Sequence, residues 1–333
     1  MGDVALVIPV VASLAHQYPH VRITVLSRPF ARALFEDLAP NVGFMAADVQ
    51  QEYHGVRGLN SLYRRLTAKH FTAVADLHNV LRSEFLRMRF NLGRYHVEHI
   101  DKHRKGKRML VRKKDKRMEQ QPTAIENYLD VFQRLGYPVT LNFRSLFPDG
   151  IDLNRLPESF RQKGDGETWI GIAPFAAHPG KVYPIERMEQ VIGLLTQRHP
   201  TVRIFFFGGG HKEFDTFARW EQQFPQCMNA SRQLNGMREE LLLMSRLNVM
   251  LSMDSGNMHL ASLTGIPVVS IWGATHPFAG FMGYNQSVDR ALGTDLPCRP
   301  CSVFGNKPCL RGDYACLHAI EPLTVVEKLE TFF

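Results

Sequence analysis

The residues best suited to chemistry lie in one short segment, Met253-Asp254-Ser255-Gly256-Asn257. An apolar run at 247–251 precedes it and fits a buried strand, and turn-forming residues then lead into a short helix. Backbone N–H groups at a helix start lack intrahelical acceptors, so together with the helix dipole they favour an anion such as phosphate. The segment therefore predicts a phosphate site, although an ordinary capped turn between strand and helix has the same composition.

Two residues of this segment have distinct predicted roles. Asp254, at the strand end, can accept hydrogen bonds from sugar hydroxyls, and Gly256 has no Cβ to keep a phosphate from the backbone. Gly265 and Pro267 then stop the helix, and residues 267–272 read as a second buried strand. This alternation of strand, helix and strand predicts a parallel sheet with crossover helices.

Two further loops follow predicted strands in the second half of the chain. The strand at 168–173 leads to a loop that contains Lys181, and the strand at 202–207 opens into three glycines at 208–210. A glycine-rich turn at the carboxyl end of a strand suits a nucleotide, but this one is neither a dinucleotide fingerprint nor a Walker loop. A lone loop lysine is ordinarily a solvated cation, so Lys181 alone decides nothing.

The longest pattern in the chain resembles the donor-site signature of glycosyltransferase family nine, the ADP-heptose:lipopolysaccharide heptosyltransferases. It reads D-S-G-x-x-H-x-A-S-x-x-G-x-P from Asp254, then W-G-A-T-H-P from Trp272. The resemblance implies a GT-B fold, in which two doubly wound Rossmann-like α/β domains face a cleft. It also implies a set of donor-binding residues: Lys181 for the phosphates, with Asp254, Ser255, Gly256, Asn257 and His259. Where the family has a ribose-binding acid, this chain has His211, with Glu213 nearby, which leaves the nucleotide base open.

The chain begins with a second family landmark. Gly2-Asp3 resembles the Gly-Asp pair at the start of the family's acceptor domain, where the aspartate is the expected general base. Inverting transfer needs a carboxylate to take the acceptor hydroxyl's proton, and such a base typically contributes ~10²–10⁴-fold in rate. The alternative is that Asp3 simply caps a helix. In a doubly wound domain an apolar central strand precedes this pair, so we expect that the chain as given lacks such a strand.

Basic residues are concentrated in the first half of the chain. Four of them are the candidate acceptor-binding residues: Arg57, Arg64, Arg65 and Lys69. The densest run, at 99–117, reads as a surface loop. These cations predict either a clamp for phosphorylated lipid A–core sugars, attraction to the anionic inner membrane face, or no more than a solvated surface.

Length and composition set the remaining expectations. The 333 residues are 44% hydrophobic with a net charge of +8, which suits two globular domains and anionic partners. Residues 1–150 are the predicted acceptor domain, 151–167 the linker and 168–333 the donor domain. We expect a cytoplasmic protein, because no signal sequence or long apolar run stands out, and its basic residues suit peripheral contact with the anionic inner membrane face. Nucleic-acid-binding motifs are not apparent, which makes nucleic acid the weakest partner.

Four of the five cysteines lie close together in sequence, at Cys298, Cys301, Cys309 and Cys316. Their spacing is compatible with a tetrahedral zinc site, and prolines and glycines between them indicate a loop with little core. Metal-free structural thiols and disulfides are the alternatives, and a cytoplasmic location disfavours the latter.

The resemblance implies an inverting glycosyltransferase, and because no DxD-type metal-binding motif stands out, we expect it to need no cofactor or metal. ADP-heptose is the expected donor and a lipopolysaccharide inner-core sugar the acceptor. Two alternatives remain: a related GT-B transferase or epimerase with another nucleotide-sugar, and a non-catalytic lipopolysaccharide- or nucleotide-binding protein.

Overall fold

The computed structural model describes residues 1–333 and divides them into two compact units. The first unit contains residues 1, 3–103 and 122–143, and the second contains residues 2, 104–121 and 144–333. Residues 144–150, predicted to end the first domain, pack with the second: Leu146 N–H donates to Leu263 O, and Ser145 Oγ donates to Thr264 O. None of the helices is long and apolar enough to cross a bilayer.

Helices and strands alternate along both halves of the chain. Up to residue 143 they are α1 (Gly2–Gln17), β1 (Ile23–Ser27), α2 (Arg32–Phe35), β2 (Val42–Ala46), α3 (Gly55–Thr67), β3 (Ala73–Asp76), α4 (Leu81–Leu92), β4 (His96–His99), α5 (Arg104–Leu110) and α6 (Ala124–Arg134). Beyond it they are β5 (Thr168–Ala173), α7 (Ile185–Arg198), β6 (Val202–Phe206), α8 (His211–Gln223), β7 (Cys227–Asn229), α9 (Ala230–Gln233), α10 (Met237–Met244), β8 (Val249–Met253), α11 (Gly256–Ser262), β9 (Val268–Ile271), β10 (Ala291–Leu292), α12 (Ala315–His318) and α13 (Pro322–Glu330).

The first unit holds two separate pairs of parallel strands. β1 pairs with β2 from Ile23–Val42 to Ser27–Ala46, and β3 pairs with β4 from Ala73–His96 to Asp76–His99. Leu6, Val10 and Leu14 of α1 pack against α6 in one core. A second core gathers apolar residues of β2, α3 and α4. The expectation of an apolar strand ahead of Gly2 stays a prediction.

The second unit is built on a six-stranded, all-parallel sheet in the order β10-β9-β8-β5-β6-β7. The apolar runs that predicted β5, β6, β8 and β9 are almost fully buried, as expected for strands covered on both faces. Residues of α7, α8 and α13 pack with these strands in one core. All three tryptophans of the chain, Trp169, Trp220 and Trp272, are fully buried in this unit.

The strand order fixes where the sheet reverses. From β5 the chain builds outward through β6 and β7 on one side, then returns to add β8, β9 and β10 on the other. The reversal lies between β5 and β8, whose register pairs Ala173 with Ser252 at their carboxyl ends. Ligands of open parallel sheets bind at such a reversal, outside the carboxyl ends of the strands.

The basic run at 99–117 is only in part the surface loop that its charge suggested: residues 112–115 are exposed and outside helix, but 104–110 are helical. It contains α5, where Lys107 and Leu110 are buried and the Lys107 ammonium lies 4.4 Å from the centre of the Phe281 ring. Gln121 N–H donates to Phe278 O, so the whole excursion 104–121 packs on the second unit. Charge density concealed this helix because a lysine can bury its aliphatic stem and keep its charge near a ring face.

Candidate active site

A buried ion pair occupies the reversal of the large sheet. Lys181 follows β5 and Asp254 follows β8, and the Lys181 Nζ lies 2.8 Å from Asp254 Oδ2. Thr275 Oγ1 donates to the same carboxylate oxygen at 2.8 Å. Asp254 is only 3% exposed, so its charge needs both partners, because an unpaired buried carboxylate is costly.

The backbone around Asp254 explains why it lies there. β8 is buried along its length, and Asp254, in the bend directly after it, donates its N–H to Ile271 O on β9. Ser255 is then the N-cap of α11, and its hydroxyl lies 3.3 Å from Ser252 Oγ. The structure thus places Ser255, Gly256 and Asn257 at a helix start beside the ion pair, and His259 is buried further along α11.

Lys181 is held by a loop that sequence reasoning did not connect to it. A Cβ on Gly305, whose φ is +74°, would lie 2.6 Å from Lys181 Cγ, so the lysine stem lies against that glycine. Cys301 N–H and Ser302 N–H both donate to Ala274 O, and Ala274 N–H donates to Gly180 O. The cysteine loop, residues 297–316, therefore supports Lys181 from one side.

The pair can bind an anion because Lys181 is not fully enclosed. Its side chain is 17% exposed, and an ammonium has three N–H donors, of which Asp254 takes one. A phosphate at the start of α11 could receive another. Lys181 and Thr275 both contact Oδ2 of Asp254, which leaves its other oxygen, Oδ1, as an acceptor for a ligand.

The glycine-rich turn after β6 is closed by its own helix. Glu213, in the first turn of α8, accepts a hydrogen bond from Gly209 N–H at 2.7 Å. Partial burial raises the pKa of Glu213, an effect that the Gly209 hydrogen bond partly offsets. His211 begins α8 and is exposed. Glu213, two residues beyond His211, thus joins the glycine-rich turn to the first turn of α8.

Asp3 lies in the first turn of α1, exposed, with Met1 as the N-cap residue. The Tyr128 hydroxyl donates to the Asp3 backbone oxygen at 3.2 Å. Burial raises the pKa of Tyr128, and the negative charge of Asp3 raises it by a smaller amount. His78, just after β3, interacts electrostatically with Asp3. Burial and the charge of Lys102 lower the pKa of His78, whereas the charges of Asp3 and Asp76 raise it. His78 is a polar residue that the sequence did not single out.

The four predicted acceptor cations lie on or just after α3. All four are exposed, and Arg65 also donates to Tyr53 Oη at 2.5 Å and pairs with Glu52 at 3.5 Å. Hydrogen bonding to Tyr53 accordingly raises the pKa of Arg65. Arg65 is thus held in place by neighbours of its own unit, while the other three project from the surface.

All four clustered cysteines line one small cavity, together with the buried Arg299, and all remain free thiols. Burial raises the pKa of Cys316 to about 11 and also raises that of Cys301. At Cys309 slight burial is outweighed by backbone N–H groups of residues 311–314, which lower the pKa of the thiol. No three His, Cys, Asp or Glu side chains are arranged to hold a metal ion as they stand, so the zinc hypothesis stays a prediction.

Comparison with known proteins gives a consistent result. A model of the family described as "Glycosyltransferase family 9 (heptosyltransferase)" matches residues 59–308, which include Lys181 and Asp254 but not Asp3 or Arg57. The lipopolysaccharide core heptosyltransferase OpsX of Haemophilus influenzae is 22% identical over 283 residues, or 83% of this chain and 77% of that protein.

Solved structures show the same fold. A glycosyl transferase family 9 protein from Veillonella parvula superposes with a TM-score of 0.71 at 20% identity, covering 100% of this chain and 94% of that one. E. coli heptosyltransferase WaaC with ADP-2-deoxy-2-fluoro heptose gives 0.68 at 17% identity, covering 99% and 96%. The predicted GT-B fold is confirmed.

The turn that follows Thr275 predicts a pH dependence of stability. His276 Nδ1 accepts a hydrogen bond from Phe278 N–H at 3.1 Å, and burial, with Arg299 and Lys116, lowers its pKa to about 4. The unfolded chain therefore binds more protons than the folded one between about pH 6.5 and about pH 4. We expect the free energy of unfolding to fall as pH falls through that window. His276→Asn keeps an acceptor at the N-cap and should flatten the slope in urea titrations. Identical slopes for both proteins would contradict this.

The cysteine cavity predicts a second measurable property. If the cluster is a zinc site, the purified chain should contain roughly one zinc per molecule, and a chelator should remove it and lower the melting temperature. Cys309→Ser should lose the metal, because its thiol is the one that the backbone favours as a thiolate. Cys227→Ser, away from the cavity, is the matched control. Zinc-free protein with unchanged melting would leave free thiols as the explanation.

Proposed function

We propose that this chain, which belongs to glycosyltransferase family 9 and is a heptosyltransferase-family glycosyltransferase, transfers heptose from ADP-heptose to an inner-core sugar of lipopolysaccharide. The observation that carries this proposal is the buried Lys181–Asp254 pair at the reversal of the large sheet. Two relatives support the substrates, since one is described as a lipopolysaccharide core heptosyltransferase and another was solved with an ADP-heptose analogue.

The donor is proposed to bind the second unit. Lys181 and the N–H groups at the start of α11, around Ser255, Gly256 and Asn257, receive the diphosphate. Asp254 accepts hydrogen bonds from hydroxyl groups of the nucleotide-sugar, and His259, buried on the same helix α11, completes the donor site. As the bond from the anomeric carbon to the diphosphate breaks, negative charge develops on ADP. Lys181 stabilises that charge in partly buried surroundings, where an ammonium acts more strongly than in water.

The acceptor is proposed to bind the first unit, with Asp3 as general base. Its carboxylate takes the proton of the acceptor hydroxyl as that oxygen attacks the anomeric carbon from the face opposite the diphosphate. One carbon–oxygen bond forms, one breaks, the proton moves to Asp3 and ADP leaves, so the anomeric configuration inverts. In this scheme cationic and backbone groups carry the charge, and neither a metal nor another cofactor is required.

Location and acceptor contacts complete the proposal. Exposed cations on α3, Arg57 and Arg64, with Lys69 just beyond it, are proposed to contact phosphates of a lipid A–core acceptor, with Arg65 fixed nearby. Such an acceptor is anchored in a membrane, so the enzyme is proposed to work in the cytoplasm, peripheral to the anionic inner membrane face.

Two rival functions make different predictions. A GT-B enzyme for another nucleotide-sugar would be stabilised by UDP- or GDP-sugars instead of ADP-heptose, and a non-catalytic binding protein would bind without turnover. A thermal-shift screen separates the donors, because a ligand at 100 times its Kd adds ~2.7 kcal/mol of stability. A transfer assay separates the enzyme from the binding protein.

Replacing the proposed base tests the catalytic step. Asp3→Asn keeps the shape of the side chain but cannot take a proton, so we expect kcat to fall ~10²–10⁴-fold while donor affinity stays unchanged. Steady-state kinetics and donor titration measure the two quantities separately. A kcat near that of the unaltered chain would remove Asp3 from the mechanism.

Replacing the proposed phosphate cation tests the donor site. Lys181→Ala should weaken ADP far more than adenosine, because only ADP carries the anion that the ammonium contacts. The variant also leaves Asp254 with one partner fewer, so its melting temperature must be followed in parallel. Lys181→Arg, which keeps the charge, is the matched control. Equal weakening of ADP and adenosine would show that Lys181 does not contact the phosphates.

A further inference from the structure

Helix α4 carries a row of large apolar side chains along one face, three of them exposed and one, Phe85, partly buried. Leu81, Phe85, Met88 and Leu92 are spaced four, three and four residues apart and so share one helix face. Leu81 is 86% exposed, Leu92 74% and Met88 50%. These four residues, together with Glu84, Arg87 and Asn91, line one continuous depression of the surface. We call the four residues the α4 ridge.

The opposite face of the same helix already has its partners. Leu86 and Phe90 are buried in a core with residues of β2 and α3. Of the α4 ridge only Phe85 also packs against this core, so Leu81, Met88 and Leu92 are not needed to attach α4 to the first unit. A helix that is apolar on both sides is normally buried on both, and a contiguous exposed patch of this kind marks an interaction site.

The surroundings of the ridge are strongly cationic. Helices α3 and α4 pack together, since Tyr63 stacks edge-on against Phe90 at 5.1 Å and Arg89 lies 4.8 Å from the centre of the Tyr63 ring. These two helices carry six arginines, at 57, 64, 65, 82, 87 and 89, and a single acid, Glu84. Arg87 pairs with Asp76 and Glu84, whereas Arg57, Arg64 and Arg82 are exposed.

An exposed apolar row beside exposed arginines has the chemistry of a helix that lies in a lipid interface. Apolar side chains of such helices enter the boundary between headgroups and acyl chains, and basic residues contact anionic headgroups. With 12 residues, α4 is about 18 Å long, so it can lie along a bilayer surface but cannot cross it.

We infer that the α4 ridge docks the first unit onto an anionic bilayer, with Leu81, Phe85, Met88 and Leu92 at the boundary and Arg57, Arg64 and Arg82 on the headgroups. The inference rests on the proposed function, in which the acceptor is anchored in lipid. None of the helices can span a membrane, and docking through the α4 ridge would bring the chain to that acceptor. The cations hold the surface near anionic lipid, and the apolar row makes the contact resistant to salt.

The test is binding of the full chain to phosphatidylcholine vesicles with and without phosphatidylglycerol, measured by co-sedimentation in the absence of donor and acceptor. We expect binding to the anionic vesicles only. The double substitution Leu81→Ser with Leu92→Ser should weaken it at least ~tenfold and leave the far-UV spectrum and melting temperature unchanged. The matched control is Val288→Ser with Leu323→Ser, two exposed apolar residues of the second unit, and should bind as the unaltered chain does.

A charge substitution separates the two contributions. Arg57→Gln with Arg82→Gln should reduce vesicle binding. The binding that remains should depend less on salt concentration, because fewer of its contacts with headgroups are ionic and can be screened. Equal binding to neutral and anionic vesicles, or unchanged binding after the leucine substitutions, would overturn the inference. So would self-association in analytical ultracentrifugation that the leucine substitutions abolish, because the ridge would then join two copies of the chain.

A transfer assay keeps this inference distinct from the proposed function. With a deacylated, water-soluble acceptor, the leucine variant should retain the kcat and KM of the unaltered chain, whereas with acceptor embedded in anionic vesicles it should lose rate. Loss of rate on both acceptors would count against a docking role. Absence of transfer by the unaltered chain to every acceptor would refute the proposed function, and the vesicle-binding result would still decide the role of the ridge.

Discussion

The second unit is organised around the need to compensate one buried carboxylate. Asp254, directly after β8, is almost completely buried. Lys181, which follows the neighbouring β5, and Thr275, which follows β9, both contact the same oxygen of its carboxylate. An uncompensated charge there would cost several kcal/mol, so the three loops cannot vary independently. The same constraint leaves an ammonium with spare donors at the sheet reversal, where anionic ligands bind.

This constraint extends into the cysteine loop. The stem of Lys181 lies against Gly305, at a backbone conformation that side chains rarely adopt, and the loop is joined through Ala274 to the turn that carries Thr275. Arg299 donates to Gly273 O from the same loop. A change in the thiols or in any metal they bind would therefore alter the surroundings of Lys181. The loop is distant from the lysine in sequence but adjacent to it in the fold.

Local patterns predicted the second unit better than the first. The runs that became β5 and α7 are long, apolar and regularly spaced, and they are buried as predicted. By contrast, β4 is only His96–His99, half of it histidine, and no alternation marks it. α5 was missed because its cations suggested solvent, whereas Lys107 and Leu110 are buried. The predicted site residues Lys181 and Asp254 meet, but their contact with each other, with Thr275 and with Gly305 depends on strand order, which no local pattern contains.

The placement of the tryptophans has a consequence for spectroscopy. Trp169, Trp220 and Trp272 all lie inside the second unit, so intrinsic tryptophan emission observes that half of the molecule and is blind to the other. Arg203 and Arg246 lie 5.3 and 5.0 Å from the Trp169 ring, and such cations shift its emission when the contact breaks. A fluorescence unfolding curve would therefore show a single transition even if the first unit, which contains α1 to α4, unfolded separately. Far-UV circular dichroism, which registers every helix, would be the only one of the two signals to show two steps.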